Sequence, residues 1–157
     1  MSEQTEYQVL LREAYRGEFF GEGFFGALAE KQPDPDRREK LETLKIVEAR
    51  TAQSLRRLVS AAGVGGGEEQ ERANGKALAD GIDPEDWNSF TKGLVDTLPA
   101  FLVKFERLRD LGGTPVDPAL KALVNHEKAI QKFAELEQAG NSKKSLKPLM
   151  DHLRRPA

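Results

Sequence analysis

Apolar residues recur at spacings of three and four along four long segments of the chain, which predicts four amphipathic helices. The first segment runs from about residue 6 to residue 31. The second follows QPDPDRREK, whose prolines end one helix and whose Asp34 or Asp36 can cap the next. It continues to Ala62, so the sequence predicts two long helices joined by a short turn.

The third segment begins at DPEDW, where Asp83 is the expected N-cap and Pro84 lies in the first turn. It runs to about residue 111, and Pro99 predicts a kink or a local break within it. The fourth segment covers residues 118–138, and a short amphipathic piece, SLKPLMDHL, is expected to pack across one end of the bundle. Because no segment alternates at period two, the predicted fold class is all-α.

The lengths of the links predict how these helices are arranged. The first and second helices, and likewise the third and fourth, are joined by short links, so each pair is expected to form an antiparallel hairpin. The link from about residue 63 to residue 83 contains GVGGG and a helical stretch, EEQERANGKALA, and can return along the second helix. We therefore expect one domain over residues 1–157, with the second and third helices parallel. An up-down-up-down bundle with a long loop is the alternative.

The composition narrows the classes of function. The chain has 157 residues, a net charge of −2 and no cysteine. The lack of basic excess argues against a nucleic-acid partner, and the lack of cysteine excludes thiolate chemistry. The sequence MSEQTEYQVL has no features of a secretory signal, and no apolar run reaches the ~18 residues of a membrane span. We expect a cytoplasmic protein that does not bind membranes.

Five titratable residues lie on the inward stripes of these helices, among leucines and phenylalanines: Glu18, Glu22, Glu48, His126 and Glu127. A buried carboxylate is costly unless it is paired, protonated or bound to a metal. Several of them facing one another repel unless protons or cations intervene. Carboxylate oxygens and an imidazole nitrogen suit iron or manganese, and such sets occur in the cores of helical bundles.

The segments YRGEFFGE, IVEARTAQSL, FERL and LVNHEKAI, together with the layout of two hairpins and a crossover, resemble the ferritin-like superfamily, the group that holds rubrerythrin and bacterioferritin. The resemblance implies a four-helix bundle with a di-metal site. Its ligand pattern is a Glu on the first and third helices and Glu-x-x-His on the second and fourth.

Individual residues of this chain can be matched to the ligand pattern of the superfamily. Glu18 matches the first-helix Glu, Glu48 the second-helix Glu and Glu127 the fourth-helix Glu, while Glu106 is the nearest candidate on the third helix. The two histidines of the pattern are absent: Thr51 follows Glu48, and Ile130 follows Glu127, at the positions where they would stand. His126 directly precedes Glu127, which puts the two side chains about 100° apart around the helix.

These residues and the resemblance suggest two alternative functions, one of a metalloprotein and one of a binding module. The first is a ferritin-like metalloprotein that binds one or two iron or manganese ions for oxidase-type or peroxide-type chemistry. Glu18, Glu48 and Glu127 would be ligands, His126 a nitrogen ligand, and Glu22 a bridging or supporting group. The second is a metal-free ferritin-like module for interaction or ligand binding, without catalysis. The sequence identifies no substrate and does not decide whether the protein is an enzyme.

Glycines are unusually dense in the first helix, at positions 17, 21, 23 and 26. Each costs up to ~1 kcal/mol relative to alanine inside a helix, so a neighbouring helix, a second subunit or a ligand is expected to approach the backbone closely. Outward phenylalanines on the same helix predict a homodimer that buries this face. The C-terminal segment is the alternative cover. His152, in that segment, is expected at the surface.

Overall fold

The structure is a computed structural model and describes residues 1–155. Within these residues it contains helices and no strand, so the all-α prediction is confirmed. Six α-helices follow one another: α1 (Glu3–Lys31), α2 (Pro35–Ala62), α3 (Glu68–Asp80), α4 (Trp87–Leu111), α5 (Pro118–Gln138) and α6 (Leu146–Arg154), with a single 3₁₀ turn, Ser142–Lys144, before α6. None of the helices in residues 1–155 combines the length and hydropathy needed to cross a membrane.

Side-chain caps explain where several helices begin. Asp34 accepts backbone N–H bonds at the start of α2, and Asp117 does the same for α5. The start of α4 differs from the prediction, because Asp86 is its N-cap and accepts a bond from the N–H of Ser89. Asp83 instead stabilises the preceding turn. Pro99 lies inside α4, which continues through it without the local break that was one of the two expectations.

Contacts at opposite ends of α1 establish the direction of α4. Near the start of α1, Glu6 pairs with Arg107 at 2.7 Å, and near its end the ring of Phe25 lies 6.3 Å from that of Phe90. α4 is therefore antiparallel to α1, as α2 is across its short turn. It follows that α2 and α4 run in the same direction, which is the direction expected from the length of the link. α3 lies within that link.

α5 completes the packing of the four long helices. Its first turn meets the end of α2 where Arg57 pairs with Asp117 at 2.7 Å. Its last turn meets the start of α2 where Lys40, almost fully buried, pairs with Glu137 at 2.9 Å. α5 is therefore antiparallel to α2, and it also packs against α4.

The C-terminal helix lies elsewhere than the sequence predicted. α6 packs along α5 and α2 and does not close one end of the molecule. Arg50 of α2 donates to the carbonyl of Leu153, and the ring of His152 lies 6.5 Å from that of His126, in the middle of α5. In the described residues α6 has no contact with α1, so it cannot cover the phenylalanines of that helix.

α3 is the element that approaches α1 closely. A Cβ atom at Gly23 would collide with the backbone carbonyl of Arg72, and a Cβ at Gly75 would collide with that of Phe20. Only residues without a side chain allow the two backbones to come this near. Of the three explanations expected for the glycines, a neighbouring helix is therefore correct for Gly23. A homodimer stays a prediction.

The core consists of two apolar clusters with a polar layer between them. One cluster gathers around Leu11, Leu55 and Leu123, and the other around Leu44 and Phe133. The residues of the layer are buried and polar, and come from α1, α2 and α5: Glu18, Glu48, Thr51, His126 and Glu127. This layer is the candidate functional site.

Candidate functional site

Three helices bring two carboxyl groups and an imidazole together in the polar layer. Nε2 of His126 lies 3.0 Å from Oε1 of Glu18 and 3.8 Å from Oε1 of Glu48. One ligand atom from each of the three residues can be chosen so that all lie within 4.8 Å of one another. All three side chains are buried, and Glu18 and Glu48 face each other, as predicted. We call these three residues the donor group.

The backbone of α5 orients the imidazole of His126. Its Nδ1 is hydrogen-bonded to the carbonyl oxygen of Leu123. Because a carbonyl can only accept, Nδ1 carries a hydrogen, and Nε2 is the ring nitrogen directed at Glu18 and Glu48. Histidine ligands in metal sites are commonly held by such a second hydrogen bond. On its other side the ring stacks on Phe105 of α4, with the centroids 5.9 Å apart.

Gly21 makes room for the carboxyl group of Glu48. A Cβ atom at position 21 would lie 2.6 Å from Oε2 of Glu48 and 2.8 Å from its carboxyl carbon. These distances are shorter than van der Waals contact, so an alanine would push the carboxyl group aside. Gly21 is thus a positioning residue of the donor group. The density of glycines in the first helix was the signal for it, but the partner could not be predicted.

Burial raises the pKa of each carboxyl group in the layer. The pKa of Glu18 rises from 4.5 to about 8, first because the group is desolvated and also because Glu127 is nearby. Desolvation, and then the charge of Glu18, raises the pKa of Glu48 well above 4.5. Desolvation raises the pKa of Glu127 to about 7, with His126 acting against it. The layer therefore holds protons near neutral pH unless a cation replaces them.

The other predicted site residues occupy different places. Glu127 is buried and lines the same groove as Glu18 and Glu48, but it is not a member of the donor group. Glu22 is partly exposed and pairs with Arg72 of α3 at 3.3 Å, a partner that the sequence did not suggest. Glu106 is half-buried on α4 and also lies outside the donor group.

α4 contributes apolar side chains where the resemblance implied a glutamate ligand. Phe105, the neighbour of Glu106, is the residue that contacts His126. The hydroxyl of Thr51 is already hydrogen-bonded within its own helix, because it donates to the carbonyl oxygen of Val47 one turn back. Among residues 1–155, the donors that gather in the layer therefore come from α1, α2 and α5.

A groove of about 780 Å³ opens onto the polar layer between α1, α3 and α4. Glu18, Glu48 and Glu127 lie at its inner end, and its walls are largely aromatic and aliphatic. The sequence reasoning missed this groove. The phenylalanines of the first helix were its signal, but they were interpreted as a subunit interface.

His152 is not at the surface as predicted. It is half-buried beside His126, and in residues 1–155 its Nδ1 is a buried polar atom without a hydrogen-bond partner. Burial, and then the nearby imidazole of His126, lowers its pKa from 6.5 to about 4. His152 lines a second cavity of about 390 Å³ on the α2–α6 side, together with the basic residues Arg50, Lys121 and Arg155.

Comparison of the chain with models of protein families, with curated proteins and with solved structures found no match. The interpretation of the site accordingly rests on its geometry and chemistry.

Proposed function

We propose that this chain is a ferritin-like metalloprotein that binds one iron or manganese ion through Glu18, Glu48 and His126. The single observation that carries the proposal is the convergence of these three donors, buried and within 4.8 Å of one another, from three different helices. Two carboxylates and one imidazole form a donor set that iron and manganese accept. A cation there would also relieve the repulsion between two buried carboxylates.

The arrangement of the helices supports the ferritin-like part of the proposal. Two antiparallel hairpins, α1–α2 and α4–α5, are joined by one long connection, and α2 and α4 run in the same direction. One long crossover is the feature that separates ferritin-like bundles from up-and-down bundles.

We propose one ion although the resemblance implied two. A second ion needs a second set of donors, which in the family pattern comes from the third helix and from two Glu-x-x-His motifs. Here Phe105 contacts the imidazole from α4, and Thr51 and Ile130 stand at the histidine positions. Glu127, at the inner end of the groove, is the remaining carboxylate that could complete the shell of a single ion.

The residues of the chain have separable tasks in this proposal. Glu18 and Glu48 would hold the ion as carboxylates, without the protons that they carry in metal-free protein. The carbonyl of Leu123 keeps Nε2 of His126 directed at the ion, and Phe105 shields the ring from water. Glu127 can hold a proton at the end of the groove. Bound iron or manganese would supply one-electron redox chemistry at this position.

Metal analysis of protein purified without chelator tests the proposal directly. We expect about one equivalent of iron or manganese per chain, and stabilisation of metal-free protein by about 2.7 kcal/mol when free Mn²⁺ is a hundredfold above its dissociation constant. Glu48→Ala should remove the metal-dependent part of the stability. Glu106→Gln is the matched control and should leave it unchanged. Wild-type protein that neither retains nor responds to iron or manganese would contradict the proposal.

The second candidate is a metal-free ligand-binding module of the same fold. The observation that favours it is the missing pair of histidines, with Thr51 bonded to its own helix instead of facing a ligand. In that case Glu18→Gln and Glu48→Gln would be neutral or stabilising, because an amide replaces a carboxyl group that is already uncharged. Added Fe²⁺ or Mn²⁺ would then have no effect on unfolding.

A further inference from the structure

The groove between α1, α3 and α4 has apolar walls and an acidic inner end. Rings from α1 and α4 form much of the wall, and Phe24 lies 6.2 Å from Phe90 between ring centroids. Phe101 is 48% exposed and Leu78 is 52% exposed at the same groove. Large apolar side chains that stay this accessible along one concave surface are typical of a binding site.

Two glycines keep this groove open. Gly17 on α1 and Gly93 on α4 both line it, and a Cβ atom at either position would meet no other atom within 4 Å. They differ from Gly23 and Gly75, where a neighbouring backbone lies too close to leave room for a side chain. A mid-helix glycine costs up to ~1 kcal/mol relative to alanine, and no contact in the described residues explains these two. Because they have no side chains, Gly17 and Gly93 leave open space in the groove.

The charges around the groove select the kind of ligand. Glu18, Glu48 and Glu127 line its inner end, and Glu13 and Glu71 line it further out. Of the described residues that line the groove, Arg16 is the one that is basic. Arg72 of α3 is already paired with Glu22 and with Glu69. The oxygen acceptors at the inner end and the acidic Glu13 and Glu71 further out suit a positively charged hydrogen-bond donor and disfavour a carboxylate or phosphate group.

We propose that the groove binds a hydrophobic primary amine, with its alkyl or aryl body against the phenylalanines and its ammonium group at the carboxyl groups of the inner end. This goes beyond the proposed function, because the hydrogen bonds from the ammonium group to the carboxyl oxygens need no metal. The alkyl or aryl body of the amine contributes affinity by burying apolar surface, and its ammonium group contributes specificity.

Competition between ligands of equal chain length tests the inference. The 157-residue chain, treated with EDTA and separately as purified, is loaded with the neutral probe N-phenyl-1-naphthylamine. It is then titrated with decylamine, 1-decanol or decanoate below their aggregation limits. We expect decylamine to displace the probe at a concentration about tenfold lower than decanoate, which corresponds to about 1.4 kcal/mol. Decanol should lie between them. Equal or better displacement by decanoate would overturn the choice of an amine.

Variants that fill the groove locate the binding. Gly17→Leu and Gly93→Leu place a side chain into open space, so they should fold normally and weaken decylamine binding about tenfold. Gly17→Ala adds only a methyl group and should change the affinity little. Ser60→Leu, an exposed position of α2 outside the groove, is the control for added surface hydrophobicity. If both leucine variants keep full affinity while circular dichroism shows normal helix content, the proposal is wrong.

A variant at the inner end tests the role of the ammonium group. Glu127→Gln should reduce the preference for decylamine over decanol, because an amide has one oxygen acceptor for the ammonium group where the carboxyl group has two. Wild-type protein that binds decylamine but neither iron nor manganese would contradict the proposed function alone, and wild-type protein that binds the metal but not decylamine would contradict the groove ligand alone.

Discussion

At the scale of single residues, the layer owes its properties to the fact that its polar groups have no access to bulk water. Glu18 has 2% of its surface exposed and His126 has none, so each must find its partner inside the protein. The imidazole contacts both carboxyl groups and is held by the carbonyl of Leu123. This arrangement meets the requirement that buried polar groups be hydrogen-bonded, and it still offers three metal donors.

The raised pKa values predict how the stability of metal-free protein depends on pH. A carboxyl group whose pKa is raised on folding stabilises the protein fully below its unfolded value, and this contribution is lost as the pH rises through the folded value. For Glu127 the stabilisation is lost as the pH rises from 4.5 to about 7. For Glu18 it is lost as the pH rises from 4.5 to about 8. His152, with its pKa lowered to about 4, acts in the opposite direction, but only below its unfolded value of 6.5.

Thermal unfolding of metal-free protein should therefore show a falling melting temperature from about pH 6.5 to about pH 8. Glu18→Gln should make this decline smaller, because the amide has no proton to lose. Glu106→Gln tests the effect of removing a carboxylate outside the donor group, and its profile should follow that of the wild type. A melting temperature that rises over this range would show that the carboxyl groups of the layer are ionised in the folded protein.

Gly21 provides a second prediction at the residue scale. Gly21→Ala should weaken Mn²⁺ binding about tenfold or more, because its Cβ displaces the carboxyl group of Glu48. The fold should remain, since the displaced atoms end a flexible side chain. Isothermal titration with Mn²⁺ measures the effect, and Gly17→Ala, where the new methyl group meets nothing, is the matched control. Unchanged affinity in Gly21→Ala would contradict the positioning role of Gly21.

At the scale of elements, α3 has a larger role than a connecting segment usually has. It packs on α1 over close backbone contacts at Gly23 and Gly75, and its Arg72 neutralises Glu22. It also forms one wall of the groove through Leu78. The crossover is therefore part of the candidate site, and its attachment determines the shape of the groove.

Gly75→Ala should destabilise the protein by about 1–3 kcal/mol, because the new methyl group meets the backbone carbonyl of Phe20 and a backbone cannot move as a side chain does. Gly17→Ala should instead stabilise it by up to ~1 kcal/mol, since it gains helix propensity without a clash. Denaturant unfolding compares the two variants. Equal effects of the two substitutions would show that α3 is not packed closely on α1.

At the scale of the whole molecule, some apolar surface remains for a partner. α3 covers part of the face of α1 that predicted a homodimer, yet Phe101 and Val103 of α4 stay exposed, Val103 by 67%. A second copy that packs against the mouth of the groove would bury this surface and shield a ligand from water.

We accordingly retain the prediction of a homodimer and expect sedimentation velocity to give a dimer at micromolar concentration. Phe101→Glu should shift the protein towards monomer, because it places a charge in the predicted interface. Lys132→Glu, at an exposed position of α5, is the control for added negative charge. A monomeric wild-type protein at the same concentration would refute the prediction.

Local sequence determined the helices and the inward position of the polar residues. Helix period and caps depend on neighbours a few residues away, so α5 was predicted at its observed bounds, and Glu18, Glu48 and His126 were correctly placed on inward faces. The relative direction of α2 and α4 also followed from sequence, because two short links and one long link leave few ways to connect four helices.

Contacts between distant parts of the chain were decided only by the tertiary structure. The pairing of Glu22 with Arg72, the room that Gly21 leaves for Glu48 and the burial of His152 beside His126 join residues that no local pattern relates. The groove has the same origin, since a cavity is the space left between α1, α3 and α4 after they pack. Helical period tells which face of a helix is buried, but it does not tell which neighbour lies against that face.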